Sequence, residues 1–199
     1  VSAPSRGDIF RARVLHEHRR LLELEAASCG RLRIETAEPA DAPRRYLIVL
    51  HVRGVVGLRG DEPETREDHA VAIELRPRFP AAPPAFWACT PLWHPNVGAS
   101  GGVASIDCLP GWSPMYAVDK AVERLYDLIR YEPGVVCTED PMNPAAAEWY
   151  VRYRSALPCF FPLATTPLCS RGTTAGGSDK GPITFRFDPK QGAGDGTVE

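Results

Sequence analysis

Six cysteines and five histidines are the groups in this chain whose chemistry is most easily recruited, so their spacing comes first. The cysteines are Cys29, Cys89, Cys108, Cys137, Cys159 and Cys169. None forms a CxxC pair, and no Cys/His cluster has the spacing that zinc requires. The expectation is free, mostly buried thiols in a reducing cytosol, with no metal and no cofactor. A serine hydrolase would need a base held beside its serine, and no His/Asp pair is convincingly placed for that. The segment Thr90–Pro114 stands apart. It holds too many Gly and Pro residues for regular structure, and so long an irregular run inside a compact domain usually carries function.

Around that segment the chain reads as one helix, then strands, then further helices. Phe10, Val14, Leu21 and Leu24, with Leu15 and Leu22, recur near helical spacing over Asp8–Ala27, with Asp8 as the expected cap and Gly30 just past the end. Arg31–Glu35, Tyr46–Val56, Ala70–Leu75 and Ala85–Cys89 have the alternation or β-branched content of strands. Gly57–Asp68, with Gly, Pro and five acidic residues, suits an exposed hairpin loop. Arg76–Pro84 is dense in proline, which removes ladder donors and fixes φ, so it must be irregular. Ala117–Tyr131 is an amphipathic helix with Val118, Val122, Leu125, Leu128 and Ile129 on its apolar face, ended by Pro133. Asn143–Ser155 is another, with Asn143 as N-cap and Pro144 at its first position. Beyond Pro158 the composition changes. Gly172–Gly181 reads as flexible, and Ile183–Phe187 alternates like a strand expected to dock on a sheet edge. The expected division is a domain over 1–157 and an extension over 158–199.

The net charge of −2 weighs against a nucleic-acid binder, which carries a basic excess. No apolar run approaches the roughly 20 residues that span a bilayer, so no membrane partner is expected. A cytoplasmic protein is the expectation, and the Ala, Arg and Pro richness hints at a bacterial source.

Phe79-Pro80-x-x-Pro83-Pro84, followed ten positions after Pro84 by His94-Pro95-Asn96, resembles the core signature of ubiquitin-conjugating enzymes. That family continues with a glycine, two residues, a catalytic cysteine, Leu-Asp, and then Trp-Ser-Pro. The matching run here is Gly102-Val103-Ala104-Ser105-Ile106-Asp107-Cys108-Leu109, then Trp112-Ser113-Pro114. An acidic-proline segment opening a helix follows in both, here Glu139-Asp140-Pro141-Met142-Asn143-Pro144. The resemblance covers roughly residues 8 to 155. It implies an α+β fold: an N-terminal helix, a four-stranded antiparallel meander, a long active-site loop and C-terminal helices. It implies acyl transfer, in which an activating enzyme delivers an activated ubiquitin-like protein whose C-terminus is then passed to an amine of a target protein.

This chain departs from the pattern. The catalytic cysteine is replaced by Ser105, Asn96 lies one residue further from that position, and the Ser105–Trp112 segment is one residue shorter. A thiol with a pKa of about 8.5 is partly ionised near neutrality, whereas a hydroxyl needs an adjacent base. An oxyester is also the less reactive acyl donor. Three readings stay open: a native oxyester enzyme, a serine engineered in place of cysteine, and an inactive variant that acts as a ubiquitin-like-protein binding module. By resemblance, Asn96 would support the loop and stabilise the oxyanion, or only pin the loop. Asp140 would orient the attacking lysine, or only serve the helix start. By resemblance His94 holds the turn, or would serve as a base for Ser105, and Cys108 and Cys137 are inert packing thiols, or stand in as displaced nucleophiles. Arg13 and Arg20 belong to a solvated helix face or an activating-enzyme site.

Overall fold

The computed structural model describes residues 5–100, 103–107, 109 and 111–169. The expected strand at Ile183–Phe187 and Cys108 lie outside them. The elements are α1 (Arg6–Ala27), β1 (Leu32–Glu38), β2 (Arg45–Arg59), β3 (Glu62–Glu74), β4 (Ala85–Ala88), β5 (Val97–Ser100), β6 (Val103–Ile106), α2 (Val118–Ile129), α3 (Pro144–Ala156) and a short 3₁₀ turn at Pro158–Phe160. The fold is α+β, with one antiparallel sheet in the order β1-β2-β3-β4-β6-β5.

Helix α1 begins one capping box earlier than its apolar spacing suggests. Ser5 is the N-cap, and Asp8 N–H donates to its Oγ at 3.2 Å while Ser5 N–H donates back to Asp8 Oδ2 at 3.0 Å. Asp8 is thus the reciprocal partner and not the cap. Those bonds from Ser5 hold its carboxyl below the usual range. The helix stops where Cys29 and Gly30 turn to positive φ. Val14, Leu21 and Leu24 enter the core, while Leu15 and Leu22 remain on the exposed side.

The first four strands form the expected meander, and two more extend it. The acidic stretch is not a loop: β2 runs to Arg59, β3 starts at Glu62, and Gly60 at positive φ makes a tight turn. Cross-strand ion pairs Arg59–Glu64 and Arg53–Glu67 link the charges of this exposed ladder, with Arg59 lying opposite Glu62 in the register. Thr90–Pro114 is also partly regular, because β5 and β6 form a hairpin paired to β4.

The core lies between α1, α2 and one face of the sheet, where Ile48, Leu50, Val71, Ile73, Phe86, Val97 and Ile106 meet Val14, Leu21, Val122, Leu125 and Ile129. Each such side chain taken from water contributes roughly 1.5–3 kcal/mol. A second cluster of Tyr131, Trp149, Tyr150 and Phe161 joins α3 to the chain after it. Residues 158–169 pack on the domain. Phe161 and Leu168 are buried, Leu163 N–H donates to Arg130 O, and Arg31 Nε donates to Leu168 O.

Two expectations about surface chemistry change. Arg20 forms a two-pronged pair with Asp119 at 3.0 and 2.8 Å, and Arg13 binds Glu17 and the Tyr116 carbonyl, so neither arginine is free on a solvated face. Among the described residues the thiols are free but not mostly buried: Cys29, Cys89, Cys159 and Cys169 are exposed and Cys137 is half-buried.

Candidate acyl-transfer site

Ser105 lies on β6, between Trp87 of β4 and Gly98 of β5. Side chains alternate along a strand, and neighbouring Ile106, Phe86 and Val97 point into the core. Ser105, Trp87 and Gly98 therefore share the opposite face. Ser105 is half-buried there, and among the described residues its hydroxyl has no hydrogen-bond partner.

The turn before β5 explains how that strand is held. His94 is fully buried, and its Nδ1 accepts the Asn96 N–H at 3.0 Å. Its ring centroid lies 4.2 Å from that of Tyr131. Burial drives its pKa down to about 3, so the ring is neutral at physiological pH. Its accepting nitrogen is spent within the turn, and His94 is not a base for Ser105.

Asn96 is 4 % exposed. Its Nδ2 donates to Asp107 O at 3.0 Å, and its Oδ1 accepts the Cys137 N–H at 2.9 Å. Its own carbonyl accepts the Asp107 N–H at 2.9 Å. One amide thereby ties the end of β6 to the segment that leads into α3. Asn143 N–H donates to Pro95 O at 3.0 Å, and the Asn143 side chain caps α3 through Ala146 N–H at 3.2 Å. These bonds lay Cys137–Met142 along β5, with Glu139 and Asp140 exposed beside it. The Cys137 thiol points to the Asp140 carbonyl at 3.8 Å.

Of the expected site residues, Asn96 is joined to the Ser105 strand through Asp107, and the Asp140 turn is docked against the same hairpin. Asn96 serves as a brace here, with both ends of its amide engaged. Trp112 and Trp93 are packing residues: Trp112 donates to Pro80 O at 2.8 Å and lies near Phe79, while Trp93 meets Trp149 edge-on. Sequence reasoning missed Trp87, Gly98 and Met142. The isolated Gly98 was the available signal, since glycine inside a strand often marks a close approach. The run Gly98-Ala99-Ser100-Gly101-Gly102 has the letters of a hydrolase nucleophile elbow, but that elbow joins a strand to a helix and Val97–Ser100 is hairpin strand. Among the described residues, no His, Cys, Asp and Glu group is placed to hold a metal ion, and no helix is long and apolar enough to cross a membrane.

A helix-led antiparallel sheet whose last hairpin is braced to an acidic-proline turn defines the class of this domain. Residues 59–157 match the family model of the ubiquitin-conjugating enzymes. The chain is 32% identical over 103 residues to "Ubiquitin-conjugating enzyme E2 1" of Schizosaccharomyces pombe, covering 50% of this chain and 43% of that protein. It is 28% identical over 100 residues to "Ubiquitin-conjugating enzyme E2-20 kDa" of the same yeast, covering 50% and 54%. The matched region thus spans about half the length of these curated relatives. A solved structure from Trypanosoma cruzi assigned to the ubiquitin conjugating enzymes shares the fold, with a TM-score of 0.51, 18% identity, and coverage of 82% of this chain and 97% of that one. The chain belongs to the ubiquitin-conjugating enzyme family.

Proposed function

We propose that the domain accepts the C-terminal carbonyl of an activated ubiquitin-like protein as an oxyester on Ser105 and passes it to an amine of a target protein. An activating enzyme presents the carbonyl as a thioester. The Ser105 oxygen attacks the carbonyl carbon, the carbon–sulfur bond breaks, and the hydroxyl proton leaves to solvent as the thiol re-forms. The target amine then attacks the ester, the carbon–oxygen bond breaks, and the Ser105 oxygen regains a proton. Asn96 holds β6 in place for both steps, and Asp140 lines the approach of the amine. The observation that carries this reading is the position of Ser105: half-buried on the sheet face away from the core, on the strand that Asn96 braces against the acidic-proline turn.

One observation favours a second reading, a binding module without catalysis. No described residue is placed as a base for the hydroxyl: His94 is neutral and occupied, and the Asn96 amide is engaged at both ends.

The test is a loading assay with ATP, the activating enzyme and its ubiquitin-like protein. It compares the chain with Ser105→Cys and Ser105→Ala. A thiol-resistant, base-labile adduct mapped to Ser105 that transfers to an amine supports the oxyester enzyme. An adduct that stalls while Ser105→Cys transfers assigns the serine as a stand-in for cysteine. No adduct in any form, with partner binding intact in Ser105→Ala, replaces the proposal with the binding module.

A further inference from the structure

The strap formed by residues 158–169 runs back along α2, against the direction of the helix. Leu163 N–H donates to Arg130 O at 2.8 Å, Arg130 Nη1 donates to Ala164 O at 2.7 Å, and Tyr126 Oη donates to Thr166 O at 3.2 Å. Arg130 to Tyr126 is one turn of α2, and Glu123 and Lys120 mark the next two turns back. The strap then meets the turn between α1 and β1, where Arg31 Nε donates to Leu168 O at 3.2 Å. The Leu168 side chain is buried in the main core, and Cys169 follows it at the surface.

That turn holds a second exposed thiol. Arg31 N–H donates to Ser28 O at 3.2 Å, so Cys29 and Gly30 form the tip, both at positive φ. Cysteine is an uncommon occupant of that conformation. The two thiols share one neighbourhood. Burial and then Glu123 push the Cys169 thiol up, Lys120 and Arg31 pull it down, and Cys29 pushes it up again. The Lys120 ammonium, held up first by its bond to Glu123, is also held up by Cys169. The end of the strap and the end of α1 therefore meet over the same stretch of α2. Both cysteines lie outside helix and strand, so the backbone there is able to close to the Cα separation of about 4.4–6.8 Å that a disulfide takes. Cys159, the other thiol of the strap, sits at its opposite end against α3.

We propose that Cys29 and Cys169 form a dithiol–disulfide site, an oxidation-sensitive clasp that fastens the strap to the end of α1. The oxidant is a small disulfide such as oxidised glutathione. One protein thiolate attacks it, the glutathione S–S bond breaks, and one glutathione leaves as its thiolate. The second protein thiolate attacks the resulting mixed disulfide, and the second glutathione leaves. The two protons released by the protein thiols end on the two glutathiones, so the protein is oxidised by two electrons and the glutathione disulfide is reduced. The open clasp leaves Leu168 held by packing and hydrogen bonds alone. The closed clasp links α1 to the far end of the chain's last packed segment and restrains the unfolded state.

The test equilibrates the folded chain with oxidised and reduced glutathione, quenches by acid, and maps disulfides by mass without reduction. The expected product is a peptide pair joined through Cys29 and Cys169. The melting temperature should rise by about 5–10 °C on oxidation and return on adding reductant. Cys29→Ser and Cys169→Ser should each abolish the linked peptide and the rise, while Cys159→Ser keeps both. Glutathione adducts without a Cys29–Cys169 link overturn the proposal, as does a pairing of either cysteine with Cys159 in its place. A rise in melting temperature that survives Cys29→Ser overturns it too, and so does a linked chain that melts no higher than the reduced one.

Discussion

The Glu17 carboxylate on α1 accepts the backbone N–H of Val118, the first residue of α2, at 2.7 Å. Ala117, the N-cap of α2, offers no side-chain acceptor of its own. The cap comes from the neighbouring helix, and a fully buried glutamate is the result. Its other oxygen is held by Arg13, and Arg20 grips Asp119 in the first turn of the same helix. These contacts set the docking of α1 on α2, and α2 in turn packs against β2.

Glu17→Ala leaves the Val118 N–H without its acceptor and Arg13 without its carboxylate. Removing one partner of a buried charge pair costs about 3–5 kcal/mol. At about 2–4 °C per kcal/mol for a domain of this size, the melting temperature should fall by about 10 °C. Urea and thermal unfolding of the variant measure this. A loss under about 0.5 kcal/mol, the size of an ordinary surface change, would remove Glu17 from the docking of the two helices.

Two glycines of β2 make an internal comparison. A Cβ on Gly54 would sit 2.6 Å from His69 Nε2 and 2.7 Å from Ile129 Cγ2, whereas one on Gly57 meets nothing within 4 Å. Gly54→Ala is an overpacking change and should cost about 1–3 kcal/mol. Gly57→Ala should be within about 0.5 kcal/mol of the parent. Equal denaturation midpoints for the two variants would mean that His69 and Ile129 move aside without cost.

The helices were legible because their signals are local. Val118, Val122, Leu125 and Ile129 recur at the helical period, and Asn143-Pro144 carries its own cap and start. The last hairpin was not. Gly98 and Ser105 carry no hydrophobic alternation; Ser105 takes its strand character from pairing with Trp87 on β4, and Gly98 from pairing with Ser105. The acidic stretch was misread because Glu62, Glu64 and Glu67 look like loop residues until Arg59 and Arg53 are found opposite them. Asn96 was legible through motif spacing, but its brace to Cys137 was not, since that bond joins segments far apart in the chain.

Two buried imidazoles predict acid sensitivity. His69 and His94 are both pushed down from 6.5 by burial, to about 4 and about 3. Between those values and 6.5 the unfolded chain binds protons that the folded chain does not, so stability rises with pH across that window and is lost as pH falls. Each group contributes a slope of at most about 1.4 kcal/mol per pH unit. From pH 6 to pH 5 the two together should remove about 2 kcal/mol. His94→Asn keeps an acceptor near the Nδ1 position and should flatten the profile by about half. Parallel urea-midpoint profiles for parent and variant between pH 5 and 7 would show that His94 does not carry this dependence.

Asn96 gives the sharpest division between a brace and a direct stabiliser of the oxyanion. Asn96→Ala leaves the Cys137 N–H and the Asp107 carbonyl without their partner. Leaving such groups unsatisfied costs about 1–3 kcal/mol each when buried, and water reaches half-buried Cys137, so a total of about 2 kcal/mol is expected. Asn96→Asp keeps the acceptor for Cys137 but sets a carboxylate oxygen against the Asp107 carbonyl, so it should not restore stability. A brace predicts that stability and the rate of loading at position 105 fall together in both variants. A direct oxyanion donor predicts that the rate falls by about 100-fold or more with the denaturation midpoint unchanged. If Asn96→Ala unfolds at the same urea concentration as the parent yet does not load, the two hydrogen bonds are incidental to the fold and the amide turns toward the reacting carbonyl.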